Sequence, residues 1–237
     1  MKHKTLLLLS LLVLSGCNNA RNPNIVVTSF VGYDAVLNIV GDKIDVKNIL
    51  PWGSELHDFE PTPRDVAAIN NAKLFVYTSP ELDTWVKSLV TNENSFNMSE
   101  WAIIEELIED SDNHSHNHNH DSLHFWTDPL IHVRVMSNLL NVISDIFPAN
   151  SAYFTDNYDA YTEELLTLEN ELQTFLNQIE DPTIFFAGHN ALSYFADHFN
   201  MTIKTINESY KPDVDFVSQE IIDFIIQGKT PKNPYMI

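Results

Sequence analysis

The chain of 237 residues contains one cysteine, Cys17, so no disulfide can form within it. Basic residues are few: 13 Lys and Arg stand against 33 Asp and Glu, a net charge of −20. That balance excludes the basic footprint of nucleic-acid binding and disfavours an anionic membrane surface as a direct partner. Neither G-x-x-x-x-G-K-S/T nor G-x-G-x-x-G occurs, so no nucleotide signature is present. The leucine-rich run from Leu6 to Leu14 is too short to span a bilayer. Apolar residues make up 44%, enough to fill the core of one large or two small domains. The acidic excess can concentrate cations near the surface, although solubility alone accounts for it equally.

Lys2 and Lys4 precede the leucine run, and Leu14-Ser15-Gly16-Cys17 follows it. A positive start and a short apolar stretch make residues 1–16 a secretory signal. The tetrapeptide resembles a bacterial lipobox, in which the signal is cut before the cysteine and the thiol is acylated. The expectation is a chain anchored through a lipid on Cys17, on the extracytoplasmic face of the membrane, with residues 17–24 as a tether. An ordinary signal with a stray cysteine is the alternative. Loss of Lys2 and Lys4 would take the net charge from −20 to −22.

Histidine is the abundant exception. Five of ten fall in the stretch NHSHNHNHDSLHFWTDP, residues 113–129. His114, His116, His118 and His120 alternate with Ser and Asn. Neutral imidazole suits Zn, Cu, Ni and Fe(II), and suits Mg or Ca poorly. Alternate spacing on a polar tract lets two or three imidazoles reach one ion without fixed geometry. Residues 113–121 therefore read as an auxiliary metal-collecting loop. The plainer reading is a polar insertion whose histidines do nothing specific. His124 opens His124-Phe125-Trp126-Thr127-Asp128-Pro129 and reads instead as a ligand in a fixed site.

Elsewhere strand and helix signals alternate. Strands are expected at 25–30, 46–50, 74–78 and 102–108, and helices at 33–40, from Thr62 and Pro63 onward, and at 80–89. Such alternation predicts an α/β fold with a parallel sheet covered by helices on both faces. Residues 151–179 hold no Gly or Pro, and apolar residues recur in steps of four and three from Phe154 to Ile179. This predicts one helix of roughly 40 Å, long enough to cross two small domains; two helices with a kink are the alternative. Further strands are expected at 183–187 and 202–206, with helices at 190–199 and 214–226. A lobe with only two strands would be small and poorly covered.

Two more imidazoles share the position of His124 at or beyond predicted strand ends. His57 lies in Glu55-Leu56-His57-Asp58-Phe59-Glu60-Pro61, and His189 in Phe185-Phe186-Ala187-Gly188-His189-Asn190. Sites in parallel α/β sheets collect beyond the carboxyl ends of strands. Three such imidazoles could converge on one ion at about 2.0–2.1 Å each. Singly, each is as readily a capping or packing residue. His132 and His198 fall inside helical patterns and read as structural.

These motifs carry a resemblance. Gly53-Ser54-Glu55-Leu56-His57-Asp58-Phe59-Glu60-Pro61-Thr62-Pro63, His124 to Pro129, and Gly188-His189-Asn190-Ala191-Leu192-Ser193-Tyr194-Phe195, with the lipobox and the long helix, are similar to the metal-binding lipoproteins of bacterial ABC importers. Within them the chain resembles the zinc-type branch of the cluster A-I solute-binding proteins, from the lipobox to about residue 228. The resemblance implies two α/β lobes, 25–150 and 180–237, joined by one rigid helix at 151–179, with metal held between them. It implies His57, His124 and His189 as ligands, Zn2+ as the transported ion with Mn2+ less favoured, and a permease and its ATPase as partners of a monomer. A His at the third position and a His-rich loop before the second are habits of the zinc branch. Family members also carry a fourth ligand, Asp or Glu, after a further strand in the second lobe. This chain stops before that strand, Glu208 is too early to match, and the second lobe is expected to be incomplete. Alternatives to zinc delivery are a surface metal buffer or adhesin, and a zinc hydrolase, for which no motif places a general base.

Overall fold

The computed structural model describes residues 23–102, 123–207 and 218–229. The signal, Cys17 and the histidine-rich residues 113–121 therefore lie outside the described residues.

The first lobe is built on strands β1 (Ile25–Val27), β2 (Val46–Asn48), β3 (Leu74–Tyr77) and β4 (Ser95–Asn97), in the order β2-β1-β3-β4, all parallel. Side chains alternate across a strand, so consecutive apolar residues supply both faces. Ile25, Val27, Leu74 and Val76 enter one core, with helices α1 (Phe30–Val40) and α4 (Pro129–Ile146). Val26 and Phe75 enter the other, with Ile69 of α2 (Pro63–Asn71) and Val86 of α3 (Val86–Leu89). Ser29 caps α1, accepting from Gly32 N and from Thr78 Oγ1. Gly41 ends α1 at φ +55°, a conformation that favours glycine, and Tyr153 packs where its side chain would be.

Helix α4, foreshadowed in the sequence only by the helical pattern around His132 and given no bounds there, is a principal wall of the core. Asp128 caps it by accepting from Leu130 N at 2.7 Å and Ile131 N at 3.1 Å, and Pro129 occupies its first turn. Ile131, Val135, Met136, Leu139 and Ile143 form its buried stripe.

Two expected elements of the first lobe differ. Only α3 survives of the helix at 80–89, because the Asp83 carboxylate turns back to accept from Thr78 N at 2.8 Å and Ser79 N at 3.3 Å. That competition favours turns over helix. The fourth strand falls at β4 rather than at 102–108; Ala102 follows a 3-10 turn, Met98–Trp101, and residues 103–108 are outside the described set. Asn92 steers the chain there by donating to the carbonyls of Ile69 and Ala72 at 2.8 and 3.0 Å.

Helix α5 (Ser151–Leu176) is continuous over 26 residues, or roughly 40 Å at 1.5 Å per residue. Phe154 near its start is fully buried in the first lobe's core, and Leu176 is buried at its other end. Beyond it, β5 (Thr183–His189) and β6 (Thr202–Asn207) pair in parallel, with helices α6 (Ser193–His198) and α7 (Ser218–Gly228). Phe185 of β5 meets Phe224 of α7 with ring centroids 5.5 Å apart. The expected helix at 190–199 starts later because β5 runs on through His189 and Ala191 N bonds back to the His189 carbonyl.

Candidate metal centre

Each of the three singled-out imidazoles is positioned by a different device. His57 lies on the long loop between β2 and α2. The loop's exit is fixed by a capping box between Thr62 and Asp65, and Lys47 Nζ ties Asp65 to β2 at 2.8 Å. Phe59, two residues on, packs edge-on to Trp85. His124 immediately precedes a 3-10 turn, Phe125–Thr127, and its carbonyl accepts from Thr127 N at 3.1 Å and Thr127 Oγ1 at 2.9 Å. Phe125 is sunk in the core and Asp128 caps α4, so the backbone on the C-terminal side of His124 is clamped. His189 ends β5, past an irregularity in its pairing with β6, in register with Asn207.

The three side chains converge from both lobes. One nitrogen from each of His57, His124 and His189 can be chosen so that all three lie within 4.8 Å of one another. His124 Nε2 and His189 Nε2 are 3.3 Å apart. Ligands about 2.05 Å from a tetrahedral ion lie about 3.4 Å apart, so this pair already spans one edge of a zinc polyhedron. The ring centroid of His57 is 5.6 Å from that of His124 and 5.7 Å from that of His189. His124 is only 7% exposed. Burial, then the neighbouring His189 and His57, push its pKa down to about 4, with Glu55 opposing. It is therefore a neutral imidazole at neutral pH, the form that binds metal.

Behind the site the two histidines read as structural lie in helices. His132 is buried within α4. His198 sits at a seam: its Nδ1 is 3.3 Å from Asp128 Oδ1 and its Nε2 is 3.1 Å from Glu169 Oε1. This joins the cap of α4, the middle of α5 and the end of α6. The partners are 70 and 29 residues away in sequence, so no spacing announces the seam. A cavity of about 300 Å³ along α5, lined by Phe30, Trp126, Leu165 and Phe199 among others, is separate from the three imidazoles, with Trp126 beside both. Sequence reasoning also missed Glu55, whose Oε1 lies 3.9 Å from His57 Nε2.

Comparison with known proteins identifies a family. Residues 25–237 match the family model described as zinc-uptake complex component A, periplasmic. The metal ABC transporter substrate-binding lipoprotein SsaB of Streptococcus sanguinis is 28% identical over 211 residues, covering 83% of this chain and 68% of the relative. The high-affinity zinc uptake system protein ZnuA of Bacillus subtilis is 30% identical over 191 residues, covering 75% and 59%. A manganese ABC transporter substrate-binding lipoprotein, scaA of Streptococcus gordonii, is 26% identical over 213 residues, covering 83% and 68%. The crystal structure of the laminin-binding protein Lmb of Streptococcus agalactiae, described as bifunctional with adhesin and metal transporting activity, superposes with a TM-score of 0.68 at 25% identity, covering 87% and 76%. The chain thus spans 59–68% of the length of these curated relatives.

Proposed function

The chain belongs to the family of zinc-uptake complex component A, solute-binding components of metal ABC importers, and we propose that it captures Zn2+ outside the cytoplasmic membrane and delivers it to a permease and its ATPase. The observation that carries this reading is the approach of three imidazole nitrogens, within 4.8 Å of one another, from both sides of α5. Nitrogen donors favour zinc over manganese, and tetrahedral zinc needs few ligands. The resemblance of the third position, His189, to the zinc branch points the same way. A manganese-named relative keeps Mn2+ as the competing cargo to be tested. In this reading the protein is a monomer held at the membrane by a lipid on Cys17, His114, His116, His118 and His120 collect ions for the site, and no reaction is catalysed.

Zinc competition titration of the chain from Asn18 tests the reading, with and without residues 113–121. One-to-one binding that outlasts loop deletion and vanishes in a His57→Ala/His124→Ala/His189→Ala variant supports it. Weak binding at several sites, lost with the loop, overturns it. A surface adhesin role, suggested by the description of Lmb, can coexist with transport. Growth loss on low zinc, rescued by excess zinc, separates transport from buffering or adhesion; hydrolytic turnover would bring back the enzyme reading.

A further inference from the structure

Two of the three imidazoles meet across the boundary between the lobes, His124 from the first and His189 from the second, with their Nε2 atoms 3.3 Å apart. One hydrogen bond between two imidazoles is a weak fastening. It is also given up when an ion enters, since both nitrogens must then face the metal. Something other than the ligands has to hold the lobes in register. We propose that His198 does this as a positioning residue of the metal centre: it clasps Asp128 and Glu169 and so keeps His189 against His124. The inference rests on the zinc-capture reading above.

Asp128 and His198 each end a short segment that begins at a ligand. In the first lobe, the His124 carbonyl accepts from Thr127 N and Oγ1, and Asp128 Oδ1 accepts from Leu130 N and Ile131 N, so this segment is clamped throughout. In the second, Ala191 N bonds to the His189 carbonyl at 2.7 Å and Ala196 N to the Leu192 carbonyl at 2.9 Å, which leads the chain from the ligand into α6. His198 then joins the two segments, its Nδ1 3.3 Å from Asp128 Oδ1. Its Nε2, 3.1 Å from Glu169 Oε1, ties both to the middle of α5. The imidazole stands edge-on to Phe199 at 4.5 Å between ring centroids, and α6 packs on the same turn, Phe125–Thr127, that follows His124.

The side chains of His198, Asp128 and Glu169 are only 10%, 13% and 15% exposed. Taking ionisable groups out of water offsets most of what their attraction gains, so the clasp adds little net stability. Moving the lobes out of register costs far more, because it leaves His198 and Glu169 without each other in a poorly hydrated seam. The clasp thus selects one arrangement of the lobes, the one that apposes His124 and His189. A site assembled in advance spends less of its binding energy on ordering, and an ion held in it leaves only when the seam opens.

The test compares His198→Leu, which removes both nitrogens, with His198→Arg, whose guanidinium can donate to both carboxylates. Glu169→Ala removes one arm of the clasp from outside α6, which keeps the test sound if His198→Leu unsettles that helix. Ala196→Gly weakens α6 through helix propensity and leaves the clasp in place. Zn2+ affinity is measured by competition, release by stopped-flow transfer to excess chelator, and coordination by the ligand-field spectrum of Co2+. His198→Leu should lower affinity roughly tenfold or more, the scale on which groups that orient metal ligands act. The loss should come mainly from faster release and should bring a changed Co2+ spectrum. Glu169→Ala should act in the same direction, His198→Arg should restore most of the loss, and Ala196→Gly should leave the spectrum unchanged. Parent-like affinity, release and spectrum in both His198→Leu and Glu169→Ala overturn the inference. So does an Ala196→Gly as impaired as His198→Leu, which would mean general loosening of α6, or a His198→Arg no better than His198→Leu. If His189→Ala binds zinc as the parent does, the capture reading itself fails, since a clasp can position only a ligand that is used.

Discussion

Both lobes are built on parallel strands with helices packed against them, and they differ in how much they bury. In the first, β1 is covered on both faces, and Ile25, Val26, Val27, Leu74, Phe75 and Val76 are all fully buried. In the second, β5 and β6 carry mostly half-exposed residues, with Phe185, Ala196, Phe199 and Phe224 as the principal buried apolar side chains. Ile221, Ile222 and Ile226 of α7 stand exposed. The candidate metal centre draws on both lobes unequally: His57 and His124 come from the well-packed one, His189 from the thin one. The better-packed lobe thus presents two candidate donors and the thinly packed lobe the third, and this contrast predicts that the second lobe opens more readily than the first.

The largest expected effect is a core truncation. Phe75→Ala should cost about 3–5 kcal/mol, since the side chain is fully buried between Val26, Ile69 and Trp85. Three of the four tryptophans, Trp52, Trp85 and Trp101, stand in the first lobe, while Trp126 shares a cavity wall with Phe199 of the second; in a Trp126→Phe background the fluorescence in urea therefore reports the first lobe. Phe185→Ala should leave the fluorescence midpoint unmoved and instead lower hydrogen-exchange protection along β5 and β6. A fluorescence shift as large as that of Phe75→Ala would make the lobes one cooperative unit and remove the contrast.

The first lobe's surplus of burial also carries an uncompensated cost. Asp83 is buried, one oxygen accepts from Thr28 Oγ1, Thr78 N and Ser79 N, and the other has no partner. Burial outweighs those bonds and raises its pKa to about 6. The native carboxyl therefore holds its proton more tightly than the unfolded one. Its contribution to stability is full below about pH 4 and is lost as pH rises through about 6. Asp83→Asn cannot titrate, so the variant should lack that fall, a difference of roughly 3 kcal/mol across the window at 1.36 kcal/mol per pKa unit. Urea midpoints by fluorescence between pH 4 and 7 measure it, and identical slopes would refute the buried-acid account.

Metal should narrow the difference between the lobes. An ion held by His57, His124 and His189 ties β5 to the first lobe, and at a free concentration a hundredfold above its dissociation constant it stabilises the bound form by about 2.7 kcal/mol. Amide exchange should slow on adding zinc at Phe185, Phe186 and Ala187 far more than at Val26 or Phe75, which are already protected. Uniform slowing in both lobes would contradict a soft second lobe.

Sequence and structure agree best where side-chain periodicity alone decides the element. The apolar runs of β1 and β3 and the unbroken stripe from Phe154 announce a parallel sheet and a single long helix. The three imidazoles stand out because each lies in a distinctive local motif, and the fold brings them together. Reading fails where one polar side chain overrides the pattern, as Asp83 does before α3 and Asn92 before β4. It fails again where a contact joins distant segments, as between Asp128, Glu169 and His198. Glu55 is the intermediate case: it lies two residues from His57, but only the bend of the loop puts its carboxylate beside that ring.

The smallest predicted effect lies at the seam between the lobes. Asp128 has two duties, capping α4 through Leu130 N and Ile131 N and facing His198 Nδ1 at 3.3 Å. Asp128→Ala removes both and should destabilise the first lobe by about 1 kcal/mol, the usual worth of a helix cap. Asp128→Asn keeps an oxygen for the cap and removes only the charge facing His198, so the fluorescence midpoint should stay near the parent's. What Asp128→Asn should alter is the second lobe. With Glu169 the remaining carboxylate on His198 among the described residues, α6 is held less firmly, and exchange at Ala196 and Phe199 should quicken. If instead Asn and Ala shift the first lobe equally, the carboxylate acts through charge on α4, and the seam contributes nothing to how the thin lobe is held.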